Sequence, residues 1–492
     1  MGSDEATLKT EILVIGSGAG GAVTAATLAE AGRTVLVVEE GPAFDTETLV
    51  TNSPQAMQTL YRNAGLSPIL GTQSIAFVEG CCVGGSTEIN SAFWHRPPPG
   101  AVQRWKALYD VRDLADEDLK KICHEIETTL GVSMSKLGSH RPSSRVFKNG
   151  LESVGAPALE TPRMQRGDLS ASQFAPGAKC SMARSYLPRA KQAGATILPG
   201  CRATRLHYRD DGYVTGVSVA QDDHNGHRTL SIEAEAVFVC GGAIQTPALL
   251  RFSGIKRNIG DSLRIQPMLK IAAQFEERLD SHLSVMPVYQ LRDPFTGIFL
   301  GGSVFTPGFL AMALSDRWPE NEAALKDWRY MAIYYTACGG TGQGSVRAFP
   351  WTGESVARYV FSPVDGYNLR IGLVRLCEVL FAGGARRLFP GLRRCPPLES
   401  LREAVDALDR PIPMSDMNLS TVHISSSCPM GENEERCAVD SFGRVHKFYN
   451  LYVADASIIP EAPGVNPQGT VMTLALRNAR HFLNHTKGSD TH

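Results

Sequence analysis

The apolar positions of this chain alternate between short β-branched runs and helix-spaced stretches, the pattern of an α/β protein. The first run, Glu11-Ile-Leu-Val-Ile15, predicts a strand; a glycine-rich turn follows, then a small-residue helix from Ala22 to Ala31. Thr34-Val-Leu-Val-Val38 predicts a second strand, and Ala236-Val-Phe-Val-Cys240 a later return of the chain to the same sheet. Thr246-Pro247 suits the start of a short helix after that return. Asn450-Leu-Tyr-Val-Ala454 reads as another strand running into an acid, and Met472 to Arg480 as a helix near the end. The longest apolar zone, Leu369 to Phe389, is interrupted by Arg370, Arg375, Glu378, Arg386 and Arg387, so it predicts an amphipathic helix rather than a membrane span.

These elements do not make one continuous domain. At 492 residues the chain exceeds what a single core usually holds. The strands of the first type cluster in residues 8–100, 175–262 and 413–485, which predicts a Rossmann-like domain discontinuous in sequence. Residues 101–174 and 263–412 carry mixed helical and alternating patterns and predict an inserted α+β domain of sheet and helices, suited to choosing a substrate.

Charge narrows the partners. Forty-nine basic residues against fifty acidic ones leave a net charge of -1, which offers no field for nucleic acid or an anionic membrane and fits a small, weakly charged substrate. Eleven scattered cysteines have neither metal-site spacing nor the density of a disulfide scaffold, so free thiols, no metal and a cytoplasmic location are expected. The acidic start, Met1 to Glu5, lacks a signal-type basic region, and Ser489 to His492 match no lipidation or peroxisomal address.

The strongest chemistry lies after the first strand. In Gly16-Ser17-Gly18-Ala19-Gly20-Gly21, Gly16 permits the tight turn, Gly18 lets the backbone approach a pyrophosphate, and Gly21 lets the helix pack closely on the strand. Amides at the helix start, about Ala19, then face the phosphates. Glu39 ends the second strand and is chosen over Glu40 as the acid for a ribose hydroxyl. NAD and FAD present the same pyrophosphate and ribose, so this unit does not separate them.

Three further segments do. Gly80-Cys-Cys-Val-Gly84-Gly85-Ser86-Thr87-Glu88-Ile89-Asn90, Gly241-Gly242-Ala243-Ile244-Gln245-Thr246-Pro247 with its continuation to Ile255, and the run from His423 to Thr470 lie in order along the chain. Together with the first turn they resemble the signatures of the glucose-methanol-choline (GMC) family of flavin-dependent oxidoreductases. The resemblance implies FAD, with Gly84, Gly85, Ser86 and Asn90 against the flavin, Gly242 at the returning strand, and Ala203 near the adenine. It also places Ala456, Pro467 and Thr470 in the cofactor site, and Asp455 either on the ribityl chain or a diphosphate-bound water, or as a simple cap. Physically, Gly84-Gly85 would let backbone amides reach a flat ring. Relatives that tether FAD use a His just before the Asn; Ile89 stands here, so noncovalent FAD is expected.

The same resemblance makes His423 the general base and Asn466 the group that orients the substrate hydroxyl and borders the flavin, with Pro467 holding Asn466 extended. A neutral imidazole suits proton removal as hydride leaves the alcohol carbon. His95 and His446 read as structural. One departure is Ser425-Ser426-Ser427, where relatives carry small glycine-type residues, so substrate or oxygen access is expected to differ. The reading is an FAD-dependent alcohol oxidoreductase, passing electrons to O2 or to a quinone or carrier. The spellings Cys428-Pro-Met-Gly431 and Gly464-Val-Asn-Pro467 resemble members acting on bulky cyclic, sugar-containing or sterol-like alcohols. The alternatives are a lyase of the hydroxynitrile lyase type on the same scaffold, a NAD-linked dehydrogenase, and a noncatalytic flavoprotein.

Overall fold

The computed structural model describes residues 6–45, 53–134, 141–165, 179–223, 226–283, 287–293 and 296–486. The two chain ends and the expected boundary at residues 174 and 175 fall outside these.

Five parallel strands form the spine of the first sheet, in the order Thr196–Leu198, Val35–Val38, Ala6–Ile15, Gly226–Val239, Leu451–Val453. Val14, Val37 and Val237 are fully buried, as expected of strands covered on both faces. On one face lie the helices Ala19–Glu30, Tyr186–Gln192 and Gln468–Thr486; on the other lies the helix Gly242–Phe252, with the antiparallel strands Cys201–Tyr208 and Val214–Asp223 continuing from Gly226–Val239. The carboxyl ends of the parallel strands deliver Gly16, Glu39, Gly241 and Asp455 to one edge, where α/β sheets bind ligands.

The second sheet runs Ser67–Ile69, Ile75–Phe77, Leu419–Thr421, Met268–Phe275, Met331–Cys338, Ile298–Gly302, Tyr289–Arg292, Leu159–Glu160, with Ala385–Phe389 also paired to Met268–Phe275. The helices Pro142–Ser153 and Pro363–Ala382 cover one of its faces, where Leu269, Ile271 and Ala273 join the core. Met268 and Lys270 point the other way, into a cavity shared with the first sheet. A short pair, Arg264–Ile265 with Ile424–Ser425, marks where the chain crosses between the two sheets.

Several expected boundaries shift. Ser67–Ile69 and Ile75–Phe77 pair into the second sheet although they lie within residues 8–100, because Ala76 and Phe77 align with Ser420 and Thr421. The helices Pro99–Tyr109 and Asp116–Leu130 pack on the first sheet's layers through Trp105, Ile126 and Leu130 rather than on the second sheet. The expected helix at Leu369 to Phe389 is a helix at Pro363–Ala382 followed by the strand Ala385–Phe389. Ser362 and Asp365 form a capping box that starts it earlier, and Gly384, at φ +93°, turns the chain out of it. Likewise the helix expected from Thr246-Pro247 starts at Gly242, leaving Pro247 inside it.

Candidate active site

A cavity of about 830 Å³ runs from the first glycine turn, past His423, to the face of the second sheet. At its near end Gly18 begins the helix Ala19–Glu30 without any side-chain cap, and a Cβ added to Gly18 would meet nothing closer than Gly85 Cα at 4.0 Å. The first amides of that helix therefore face open space, which is what a pyrophosphate requires, so the residues present fit a dinucleotide. Gly16, Ala19, Ala203, Gly242 and Ala456 line the same wall. Glu39 is buried; its Oε2 accepts from the Ser17 amide at 2.9 Å and hydroxyl at 2.7 Å, and its Oε1 from the Gly41 amide at 2.9 Å. Burial pushes its carboxyl up, and Oε1 keeps a lone pair for a hydroxyl donor. Glu40 is instead held by Arg62 at 2.7 and 3.0 Å.

Gly21, Gly84 and Thr470 lie behind the wall rather than on it. A Cβ on Gly21 would stand 1.9 Å from the Gly16 carbonyl oxygen, so this glycine serves helix packing. Gly84, at φ +97°, donates its amide to Ser17 Oγ at 2.9 Å, and Gly85, which does line the cavity, donates to the Cys82 carbonyl at 2.8 Å. The expectation that these two amides reach a flavin is therefore corrected: their left-handed turn spends both on protein acceptors and clamps the segment onto the first glycine turn. Thr470 is fully buried in the last helix, with a hydroxyl that bonds no protein group among the described residues.

Ser86, Asn90 and Asp455 line the cavity but are committed to neighbours. Ser86 Oγ accepts from the Gly80 amide at 2.9 Å; Asn90 Oδ1 accepts from the Ala92 amide at 2.9 Å while its Nδ2 donates to Gln468 Oε1 at 2.8 Å. Asp455 Oδ1 accepts from the Ser457 amide at 2.8 Å and hydroxyl at 2.5 Å; Oδ2 accepts from the Gly242 amide at 2.8 Å and the Thr246 hydroxyl at 2.5 Å. These are the bonds of a capping residue that ties two cofactor-side turns together, and burial pushes its carboxyl up.

At the middle of the cavity His423 follows the strand Leu419–Thr421, and Asn466-Pro467 precede the last helix. His423 Nε2 and Asn466 Nδ2 stand 3.0 Å apart. On the other side of the ring, Nδ1 lies 2.9 Å from Oε1 of Gln266, a buried residue whose Nε2 donates to the Val465 carbonyl at 3.2 Å. That bond orients the Gln266 amide, so Nδ1 carries the proton and Nε2 the lone pair that accepts from Asn466. The ring is half-buried and opens to the cavity. Burial, and secondly the Arg292 guanidinium, push its pKa down to about 4, so the imidazole is neutral at physiological pH.

Gln266 and Arg292 escaped sequence reading. Arg292 donates to Gln290 Oε1 at 2.9 Å and abuts His95 Nε2; burial, and secondly this guanidinium, push His95 well below the ordinary range. His446 donates to the Gly431 carbonyl at 3.1 Å, away from the cavity. The three serines after His423 are buried and line no part of the cavity, so the expectation that their hydroxyls alter substrate or oxygen access is corrected. Ser427 Oγ donates to the Ala243 carbonyl at 2.7 Å, and Ser426 occupies a left-handed turn at φ +69°, a conformation that favours glycine.

Doubly wound sheets host many chemistries. Here a neutral imidazole and a carboxamide, in contact just past a dinucleotide cradle, suit proton removal from a hydroxyl, which places the molecule among oxidoreductases of the Rossmann type acting on CH-OH groups. Comparison with known proteins agrees: residues 57–268 and 369–475 match the N- and C-terminal models of GMC oxidoreductase, and residues 14–45 a NAD(P)-binding Rossmann-like domain. An uncharacterized GMC-type oxidoreductase of Sinorhizobium fredii is 36% identical over 488 residues, 98% of this chain and 96% of the relative. A long-chain-alcohol oxidase of Arabidopsis thaliana is 27% identical over 528 residues, covering 96% of this chain and 67% of the relative. The crystal structure of pyridoxine 4-oxidase from Mesorbium loti shares the fold, with a TM-score of 0.72 over 97% of this chain and 99% of that one at 20% identity. The chain belongs to the GMC oxidoreductase family, whose members are FAD flavoproteins.

Proposed function

We propose that this protein oxidises a primary or secondary hydroxyl of a small molecule to the aldehyde or ketone, using noncovalent FAD as hydride acceptor and His423 as general base. The observation that carries the reading is the chain Val465 O, Gln266, His423, Asn466, which leaves one imidazole lone pair and one carboxamide N–H converging on the cavity. A substrate hydroxyl entering there displaces the direct contact between the two side chains. Asn466 Nδ2 donates to the alcohol oxygen and orients it, and His423 Nε2 takes the hydroxyl proton as the carbon–hydrogen bond is broken. The bound FAD supplies the oxidising power. Gly18, Ala19 and Glu39 hold its diphosphate and ribose side, Ala203 borders the adenine, and Asn90, Asp455 and Asn466 brace the flavin end.

Two features support the finer points. Ile89 lines the cavity where tethering relatives carry a His, and an aliphatic side chain cannot form that bond. Beyond His423 the walls include the apolar Met268, Phe309, Met312 and Ile333, which fit the hydrocarbon body of a long or cyclic alcohol. The relation to a long-chain-alcohol oxidase favours the same class, with O2 or a quinone or carrier as the electron acceptor. Among the described residues no helix is long and apolar enough to cross a membrane; a cytoplasmic location is proposed.

The test is anaerobic addition of candidate alcohols to the FAD-bound protein. Bleaching of the flavin band marks hydride transfer, whereas a lyase leaves it yellow. His423→Ala is expected to slow bleaching at least about 100-fold with FAD still bound. Near-normal reduction in that variant would remove His423 from the mechanism.

A further inference from the structure

The chamber beyond His423 holds a charge that alcohol oxidation does not use. Lys270 lies in the strand Met268–Phe275, one residue from Leu269 and Ile271 in the helix-covered core, and its side chain lines the cavity. Among the described residues its ammonium makes no hydrogen bond or ion pair, and only burial acts on it, pushing it down, with no carboxylate near enough to push it back. The carboxylates on the cavity wall are Glu39, Glu40, Glu79 and Asp455, all at the cofactor end and each bonded to protein donors. Asp316, behind neighbouring Ser315, accepts from Asn418 at 2.9 Å and does not line the cavity. An unpaired cation in a half-closed apolar chamber is costly unless a ligand supplies the opposite charge.

Its neighbours on the wall are donors as well. Tyr335 pairs with Lys270 on the next strand, but its hydroxyl lies the other way, over Gly301, and accepts from Gln290 Nε2 at 3.2 Å. Ser303 and Ser420 line the chamber with hydroxyls that bond no protein group among the described residues. We propose that Lys270, with the hydroxyls of Ser303 and Ser420, receives the carboxylate of a hydroxy acid whose distal hydroxyl is oxidised at His423. This rests on the alcohol-oxidising reading above and names its substrate class. Four residues of extended chain separate Lys270 from Gln266, which holds His423, so the two ends of the substrate lie on the order of 13 Å apart or less along the strand. Met268 and Ile333 line the space for the methylenes. The hydroxyl proton passes to His423 and the hydride to bound FAD, giving the oxo acid and reduced cofactor.

The test compares ω-hydroxyhexanoate through ω-hydroxydodecanoate with the alkanols of equal length, on the FAD-bound wild type, Lys270→Met and Lys270→Arg. The wild type is expected to favour the best hydroxy acid over its matched alkanol by at least about tenfold in kcat/KM, through KM. Lys270→Met should erase that preference and leave alkanol oxidation within about twofold, while Lys270→Arg keeps most of it. A wild type that prefers the alkanol, or a Lys270→Met variant that keeps the preference, overturns the proposal. Calorimetric titration with decanoate, which needs no turnover, separates the two readings. If no alcohol of either series bleaches the flavin, the alcohol reading fails, yet decanoate binding at least about tenfold weaker in Lys270→Met still supports the anion site. Absent or equal binding sinks it.

Discussion

Gln266 Oε1 accepts from His423 Nδ1 at 2.9 Å, and the same carboxamide donates to the Val465 carbonyl next to Asn466. One buried amide thus sets the tautomer of the proposed base and braces the loop that carries Asn466. Replacing Gln266 by Leu keeps the volume but frees the imidazole to take either tautomer. Flavin reduction by alcohol should fall roughly 100-fold, mainly in kcat, with FAD content unchanged. Gln266→Glu restores the acceptor and adds a negative charge, so it should recover much of the rate while moving the acid limb of the pH profile upward. Stopped-flow reduction across pH reads both; a Leu variant that reduces normally would show the tautomer to be set elsewhere.

The pH behaviour follows from the burial of His423 and, second to it, from Arg292. Burial and then this guanidinium hold His423 at about 4, below the ordinary histidine range. The base is therefore lost only as pH falls through that value, and kcat/KM should be flat through neutrality. The Arg292→Met variant removes the repulsion, so the acid limb should move up toward the ordinary range of about 6.5. The same shift bears on folding: between those values the unfolded chain takes up a proton that the folded chain refuses. This contribution to stability is complete above about 6.5 and fades as pH drops to about 4. An acid limb unmoved in Arg292→Met would deny Arg292 this role.

Noncovalent cofactor binding has a direct chemical readout. Acid precipitation of the yellow protein should leave a colourless pellet and a supernatant with the spectrum of free FAD, because Ile89 offers no nucleophile to the ring. Colour retained on the washed pellet would show a bond formed through another side chain.

The cofactor half was legible because each of its signals answers to a hard local constraint. A Cβ on Gly16 would stand 2.5 Å from the Cys240 carbonyl, and Glu39 follows its strand at the same edge of the sheet. His423 and Asn466 were legible only through family resemblance; no periodicity marks them. Gln266, Arg292 and Lys270 were not legible at all, because their roles come from pairing between strands distant in sequence, and each stands in a segment whose local pattern predicts only sheet. A polar residue at Gln266, between buried Ile265 and Met268, was the one available hint. Gly84-Gly85 were placed in the right segment but given the wrong contacts, since which acceptor an amide meets depends on the sign of φ, and sequence does not show it.

The serines after His423 carry the last prediction. Pro247 lies inside the helix Gly242–Phe252 and cannot donate to the carbonyl of Ala243 four residues earlier, so that buried oxygen would be orphaned. Ser427 Oγ donates to it at 2.7 Å, joining the catalytic segment to the helix that begins at the cofactor wall. Ser427→Ala alone should destabilise by about 1–3 kcal/mol, the penalty for an unsatisfied buried acceptor. Pro247→Ala returns the missing N–H, so on that background the same serine substitution should cost clearly less, with a coupling of about 1 kcal/mol or more between the sites. Urea unfolding of the FAD-bound wild type, both single variants and the double variant measures the cycle. Strict additivity would mean that the hydroxyl supports something other than the carbonyl freed by the proline.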